Sequence, residues 1–289
     1  MFNFIFINGK MAASGRARIS VNDRGFLYGD GLYETMRSYK GSVFMLDEHI
    51  DRLFHSLKVL KYNLTFDGEH VKEAVRKTIN RNNLGRRDAY IKVIVTRGIN
   101  GRDFHFSSSY KPSLIVIAKN FRNHWADYYT EGIKIISSSV KRPSVGSPIY
   151  SHKLINYFEN IYAKDEASYK GAQEAIFLTG DHLVLEGASS NIFFVKGNTV
   201  YTPPLTQNIL PGITRKAVVG LCRENRIRAR ERKVHYRDFI NADEIFVTGS
   251  IGEVVPVREV DRFEMGGNVP GKITSKLMAL YRNKTSCSE

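Results

Sequence analysis

Apolar residues recur in two different rhythms along the first third of the chain. Alternation over Phe4 to Asn8 predicts a strand. Leu32 to Tyr39, the pair Lys40-Gly41 and then Ser42 to Leu46 read as a β-hairpin, because a two-residue break containing glycine suits a tight turn. From Asp47 the spacing lengthens. Ile50, Leu53, Phe54 and Leu57 fall on one face of a helix that Asp47 can cap and that runs through Leu60. Asp67 can cap a second helix ending near Asn82. Two runs rich in β-branched residues, Ala89 to Thr96 and Ser113 to Ala118, complete a sheet that these helices would cover.

The periodicity then lapses. Asn120 to Tyr129 is polar and aromatic without a repeat, which places an interdomain linker at 120–129, a small α+β domain at 1–119 and a larger domain at 130–289. The larger part reads as a strand from near Gly132, a loop over Pro143 to Pro148, a helix over about Lys153 to Tyr169, and short strands with turns at Gly180-Asp181 and Gly197-Asn198. Helices follow at Ile213 to Glu224 and Gly271 to Tyr281, and no internal repeat interrupts the order.

Composition narrows the class without choosing a function. With 289 residues, 42% hydrophobic and 25% charged, the chain can bury a sizeable core and is neither collagen-like nor largely disordered. No run approaches the roughly 20 apolar residues of a spanning helix, and the opening apolar run is too short for a signal peptide, so the expected location is the cytoplasm with no membrane partner. Cys222 and Cys287 offer neither a common bridge nor metal spacing; free thiols and no metal site are expected. Lys and Arg outnumber Asp and Glu by 43 to 29, which raises nucleic acid as a partner. The cations are spread from end to end with no accompanying recognition motif, so the reading is a solvated basic surface that attracts anionic small molecules, not nucleic acid.

Candidate chemistry gathers in the second half. Lys153 stands in SHKLINYFENIYAKDEA, and a lone lysine there is ordinarily solvated. Its company changes the weighing. Glu186 follows a strand in LVLEGASSNIFFV, ahead of small residues that let a flat ligand approach the backbone. In ILPGITR, Gly212 precedes a helix opened by Ile213 and Thr214, whose amides can hold a phosphate. VTGSIGEVVPV adds Gly249 and Ser250 as backbone and hydroxyl donors. Phosphate-binding turns together with one lysine point to a cofactor aldehyde.

Six ordered segments, YGDGLYETMR, EHIDRL, HKLINY, EGASSNIFFV, PPLTQNILPGITR and ADEIFVTGSIGEVVPV, closely resemble the class IV (fold type IV) pyridoxal-phosphate enzymes over nearly the whole chain. These are the D-amino acid aminotransferases, branched-chain aminotransferases and aminodeoxychorismate lyases. The resemblance implies a small α+β sandwich-like domain, a larger domain with a β-barrel-like sheet flanked by helices, bound pyridoxal 5'-phosphate and a homodimer. It implies Lys153 as the Schiff-base lysine and proton carrier, and Glu186 as partner of the pyridine nitrogen. Arg52, Ile213, Thr214, Gly249 and Ser250 match phosphate-side positions, and Leu210 a residue against the ring. Tyr157 could donate to the cofactor's phenolate oxygen, though a tyrosine there is as often simply packed.

On the substrate side the resemblance is divided. Tyr33 stands where D-amino acid enzymes keep a tyrosine, while Thr35 replaces a glycine of the branched-chain pattern. Arg102 and His105 in TRGINGRDFHFSS resemble an Arg-x-His pair that clamps a substrate carboxylate, with one extra residue between them; Ile251 completes the substrate set. The same loop is similar to the lyase pattern, with Arg102 kept, and Ser189-Ser190-Asn191 looks more like the D-amino acid enzymes. The leading expectation is transfer from a D-amino acid such as D-alanine or D-glutamate to pyruvate or 2-oxoglutarate. L-branched-chain aminotransferase and aminodeoxychorismate lyase are the alternatives.

Overall fold

A computed structural model describes residues 4–99, 105, 106, 110–143 and 145–286. These divide into two units, one running up to Arg122 and taking in His152–Tyr157, the other comprising Asn123–Ser151 and Phe158–Ser286. Lys153 therefore belongs with the first unit and not with the residues that surround it in sequence.

Among the described residues the first unit contains β1 (Phe4–Ile7), β2 (Lys10–Ala13), α1 (Arg24–Tyr28), β3 (Gly31–Tyr39), β4 (Ser42–Val43), α2 (Leu46–Val59), α3 (Gly68–Arg81), β5 (Ala89–Ile99) and β6 (Lys111–Asn120). The strands form one antiparallel sheet in the order β2-β1-β6-β5-β3-β4. Pleating sends Leu32, Met36, Ile91, Val93, Val95 and Val116 to the side where Ile50, Leu53 and Leu57 of α2 and Val71 and Val75 of α3 are buried. The intervening residues Tyr33, Thr35, Tyr90 and Lys92 take the opposite face.

The local signals are met with one shift. Lys40 and Gly41 both have positive φ (49° and 97°), and a Cβ on Gly41 would lie 1.9 Å from the Gly85 carbonyl oxygen, so only glycine fits that turn. Asp67 caps α3 by accepting from the His70 amide at 2.9 Å. At α2 the cap falls on Met45, in the left-handed region and without a side-chain bond; Asp47 instead sits in the first turn, where its charge suits the helix dipole.

The helix expected from Lys153 starts only at Phe158. Residues 153–155 lie extended along β3: the Tyr33 amide donates to the Lys153 carbonyl at 2.9 Å, the Ile155 amide donates to the Gly31 carbonyl at 3.0 Å, and Leu154 bridges to Leu32. β5 occupies one edge of β3, but β4 pairs only with Ser38 and Tyr39 on the other. The main chain beside Lys153 satisfies the donors and acceptors that this short hairpin leaves open.

The second unit carries α4 (Tyr128–Glu131), β7 (Ile133–Lys141), α5 (Phe158–Tyr169), β8 (Glu174–Leu178), β9 (Leu183–Gly187), β10 (Asn191–Lys196), β11 (Thr199–Thr202), α6 (Ile213–Glu224), β12 (Arg228–Glu231), β13 (Val234–His235), α7 (Tyr236–Ile240), β14 (Glu244–Gly249), β15 (Glu253–Val260), β16 (Phe263–Glu264) and α8 (Lys272–Ser286). Its mixed sheet runs β12-β11-β10-β14-β15-β7-β8-β9-β13, with β16 beside β15. The outermost strands, β12 and β13, are joined by only Arg232 and Lys233. A link of that length spans at most about 11 Å, so the two ends of the sheet must curl toward each other. The sheet is the half-barrel that the resemblance implied. Phe193 and Phe246 stack in its core at 4.9 Å between ring centroids.

Candidate active site

The candidate residues fall into two groups, one in each unit. In the first, the strand pairing of residues 153–155 sets the Lys153 ammonium over the Tyr33 ring, 4.5 Å from its centroid. Tyr157 meets the same ring edge-on at 5.8 Å. Burial pushes the Tyr33 phenol up to about 12, against the Tyr157 hydroxyl bonded to it, so the phenol stays protonated at neutral pH.

Behind Tyr33 in sequence, Glu34 points to the helix side of the sheet and is fully buried. Burial alone would raise its pKa. The guanidinium of Arg52, gripping it through Nε at 2.8 Å and Nη2 at 2.6 Å, and the His49 ring at 2.7 Å hold it down to about 2. His49 is itself held below its ordinary value by burial, with Arg52 and Lys153 opposing its charge and Glu34 favouring it. Against an ionised carboxylate, which only accepts, the His49 Nδ1 carries the proton of that bond. Tyr33, Lys153 and Tyr157 are thus brought together, while Arg52 is held by Glu34 on the helix side, near enough for its charge to act on the Tyr33 phenol. Arg102 lies outside the described residues; His105 is exposed, and its carbonyl accepts from the Tyr110 hydroxyl at 3.2 Å.

In the second unit the three small-residue turns converge. Glu186, at the end of β9, accepts from the Leu210 amide at 3.0 Å and from Asn191 Nδ2 at 3.5 Å, and Asn191 also donates to the Leu210 carbonyl at 2.9 Å. A Cβ on Gly212 would lie 1.8 Å from Asn191 Oδ1, so glycine is required for that approach. Asn191 pairs across the sheet with Thr248, and Gly249 approaches the Ser189 carbonyl. Ser250 and Ile251 form the turn from β14 to β15. Ile213 and Thr214 open α6, which has no side-chain cap and no acidic residue in its first turn.

Two functional candidates escape the sequence. Arg142, just past β7, is buried and donates Nη1 to Glu186 at 3.3 Å, Nε to Glu159 at 3.1 Å and Nη2 to Asn160 at 2.9 Å. Lys92 sits on the open sheet face with its ammonium 4.5 Å from the Tyr33 ring centroid, and burial lowers its pKa. For Lys92 a signal existed, since a lysine alternating with Tyr90 on the polar side of a strand faces the same way as its cross-strand neighbours. For Arg142 there was none short of the fold.

The half-buried Lys153 amine on an aromatic ring in the first unit and the fixed buried carboxylate beside an uncapped helix start in the second are each groups that a phosphorylated pyridine aldehyde can use. The comparisons agree. The family model "Amino-transferase class IV" matches residues 31–260. A Methanocaldococcus jannaschii protein provisionally named a branched-chain-amino-acid aminotransferase is 39% identical over 279 residues, covering 96% of this chain and 95% of the relative. A D-alanine aminotransferase of Bacillus licheniformis is 33% identical, covering 96% of each. The solved T.th. branched-chain amino acid aminotransferase with pyridoxamine 5'-phosphate superposes with a TM-score of 0.92 at 27% identity, covering 100% of this chain and 96% of that one. The chain belongs to the class IV aminotransferases, which use pyridoxal phosphate.

The residues present fit that cofactor. Glu186 can face a protonated ring nitrogen, and the twelve-residue α6 offers its positive end to a phosphate. Among the described residues the buried Thr248 hydroxyl, next to Gly249 and Ser250, has no hydrogen-bond partner, a polar atom left for a ligand or water. No helix among the described residues is long and apolar enough to cross a membrane.

Proposed function

We propose that the chain moves amino groups between an amino acid and a 2-oxo acid, with the glutamate and 2-oxoglutarate pair on one side of the exchange. The observation that carries this is Lys92. Its ammonium is half-buried on the Tyr33 side of the sheet, and among the described residues it has no ion-pair partner. A second substrate carboxylate would supply the missing counter-charge.

In this reading Lys153 holds the cofactor and its amine carries a proton to and from the substrate Cα. The bound cofactor supplies an electron-withdrawing ring that takes up the electron pair released there. Glu186 keeps the ring nitrogen protonated, Arg52 serves the phosphate, and the Ile213 and Thr214 amides with Gly249 and Ser250 do likewise. Leu210 would pack on the ring, Tyr157 would donate to its phenolate oxygen, and Tyr33, Arg102, His105 and Ile251 would meet the substrate. Tyr33 is suited to that task, since a phenol held neutral can donate or accept without adding charge.

For the second amino acid we read a D-amino acid such as D-alanine, on Tyr33 and the Ser189-Ser190-Asn191 run, with support from the B. licheniformis relative. The other reading, an L-branched-chain amino acid, is favoured by the 39% identity to the M. jannaschii relative. A substrate panel separates them. Bleaching of the cofactor band by D-alanine and D-glutamate but not L-leucine supports the first, the reverse supports the second, and pyruvate release from aminodeoxychorismate without pyridoxamine phosphate supports a lyase. For the dicarboxylate, Lys92→Met should raise KM for 2-oxoglutarate at least tenfold and leave pyruvate nearly unchanged. Equal effects on both would overturn the role of Lys92.

A further inference from the structure

One buried cation of the second unit lies outside the family motifs. Arg142 continues the β7 pairing by donating its amide to the Leu178 carbonyl at 3.1 Å, which turns its side chain into the interior. Its guanidinium is bonded at three nitrogens to Glu159, Asn160 and Glu186. It also lies 3.4 Å from the Phe177 ring centroid and 4.7 Å from that of Tyr150. Each partner is fixed in turn: Asn160 donates to the Ala188 carbonyl at 2.7 Å, and the Tyr150 hydroxyl donates to Glu159 at 3.3 Å. The plane of the guanidinium is therefore set by packing and hydrogen bonds together, and so is the direction from which it meets Glu186.

Two consequences follow for Glu186. One is orientation. Arg142 holds Oε1 while the Leu210 amide and Asn191 hold Oε2, so neither oxygen can turn without breaking a bond. The other is electrostatic. Of the two carboxylates on Arg142, the Glu159 side chain is 46% exposed and screened by water, whereas that of Glu186 is 9% exposed. The charge of Arg142 is felt mainly by Glu186, whose affinity for a proton it reduces.

We propose that Arg142 is the positioning residue of the Glu186 pair: it keeps the carboxylate ionised and aligned, so that a proton shared between Glu186 and a bound pyridine nitrogen rests on the nitrogen. This builds on the reading of Glu186 as the partner of the ring nitrogen. A carboxylate without its own cation would draw that proton back and neutralise the ring, which weakens it as an acceptor of electrons. Arg142 acts through Glu186 and needs no contact with the cofactor.

The test uses the holoenzyme and the apoprotein together. In holoenzyme loaded with pyridoxal phosphate labelled with 15N in the ring, the wild type and Arg142→Lys should show a protonated nitrogen. Arg142→Met should move the signal toward the unprotonated position and lower kcat at least tenfold, with a smaller change in KM. Glu186→Gln in the same experiment separates the two ideas. If it leaves the nitrogen signal unmoved, the pairing of Glu186 with the ring fails; if it moves the signal and Arg142→Met does not, the role of Arg142 alone is overturned. Should Arg142→Met fail to fold, the wild-type apoprotein still decides. With 13C-labelled glutamate carboxyls, Glu186 should release its proton at lower pH than the exposed glutamates, and release at the same or higher pH would overturn the proposal.

Discussion

Replacing Glu34 by Gln keeps the shape of the buried Glu34–His49–Arg52 cluster and removes its one negative charge. The cost can be worked in two ways. Holding the carboxyl at about 2 instead of its ordinary 4.5 corresponds, at 1.36 kcal/mol per pH unit, to about 3 kcal/mol of stability at neutral pH. Leaving a buried cation without its partner, here Arg52 with 9% of its side chain exposed, typically costs about 3–5 kcal/mol. The two agree. Because the folded value is depressed, the contribution is complete above the unfolded value and is lost as pH falls toward 2. The gap between wild type and Glu34→Gln should therefore be constant from pH 8 to 6 and shrink by about half near pH 3. Urea denaturation of the apoprotein across this range measures it. A gap below about 0.5 kcal/mol at pH 7, or one that is unchanged at pH 3, would refute the reasoning.

Gly212→Ala should displace Asn191, whose Oδ1 would lie 1.8 Å from the new methyl group, and so loosen both the Leu210 loop and Glu186. Spectrophotometric titration should show pyridoxal phosphate affinity reduced at least tenfold, and full affinity would count against the convergence of these turns. Lys153→Ala should remove the absorbance of the covalently held cofactor and nearly all turnover; retained absorbance would exclude Lys153 as the attachment point. Burial pushes the Cys222 thiol up to about 11, so at pH 8 only about one part in a thousand is thiolate. In a Cys287→Ser background a thiol-specific disulfide reagent should report no reaction until the chain is unfolded. Asp67→Ala removes the α3 cap and should cost about 1 kcal/mol in urea denaturation.

Features governed by near neighbours in sequence were legible, and those governed by distant pairing were not. The buried face of α2 follows from the spacing of Ile50, Leu53 and Leu57, the start of α3 from Asp67, and the β3–β4 turn from Lys40-Gly41. Lys153 read as helical because SHKLINYF is a fair helix sequence. Its main chain is instead claimed by Gly31 to Tyr33, more than a hundred residues earlier. Arg142 sits in an aperiodic stretch beside a proline, and its partners are 17 to 44 residues away. Asp47 failed as a cap for a smaller reason, the left-handed backbone at Met45, which composition does not reveal. The motifs located Glu186, Gly212 and Gly249; only the fold shows that Asn191 is the residue that links them.

The attachment of residues 153–155 to β3 has a consequence for how this chain can change over time. The lysine is held by main-chain bonds to Gly31 and Tyr33, which any residue except proline can make. Its neighbours Leu154 and Ile155 can therefore drift among side chains of similar bulk without moving the amine. Gly31 cannot, since a Cβ there would lie 2.7 Å from Ile155 Cδ1 and 2.9 Å from the Val95 carbonyl oxygen. The position of the Lys153 amine is inherited from the strand beneath it, and the mutational risk falls on a glycine far away in sequence.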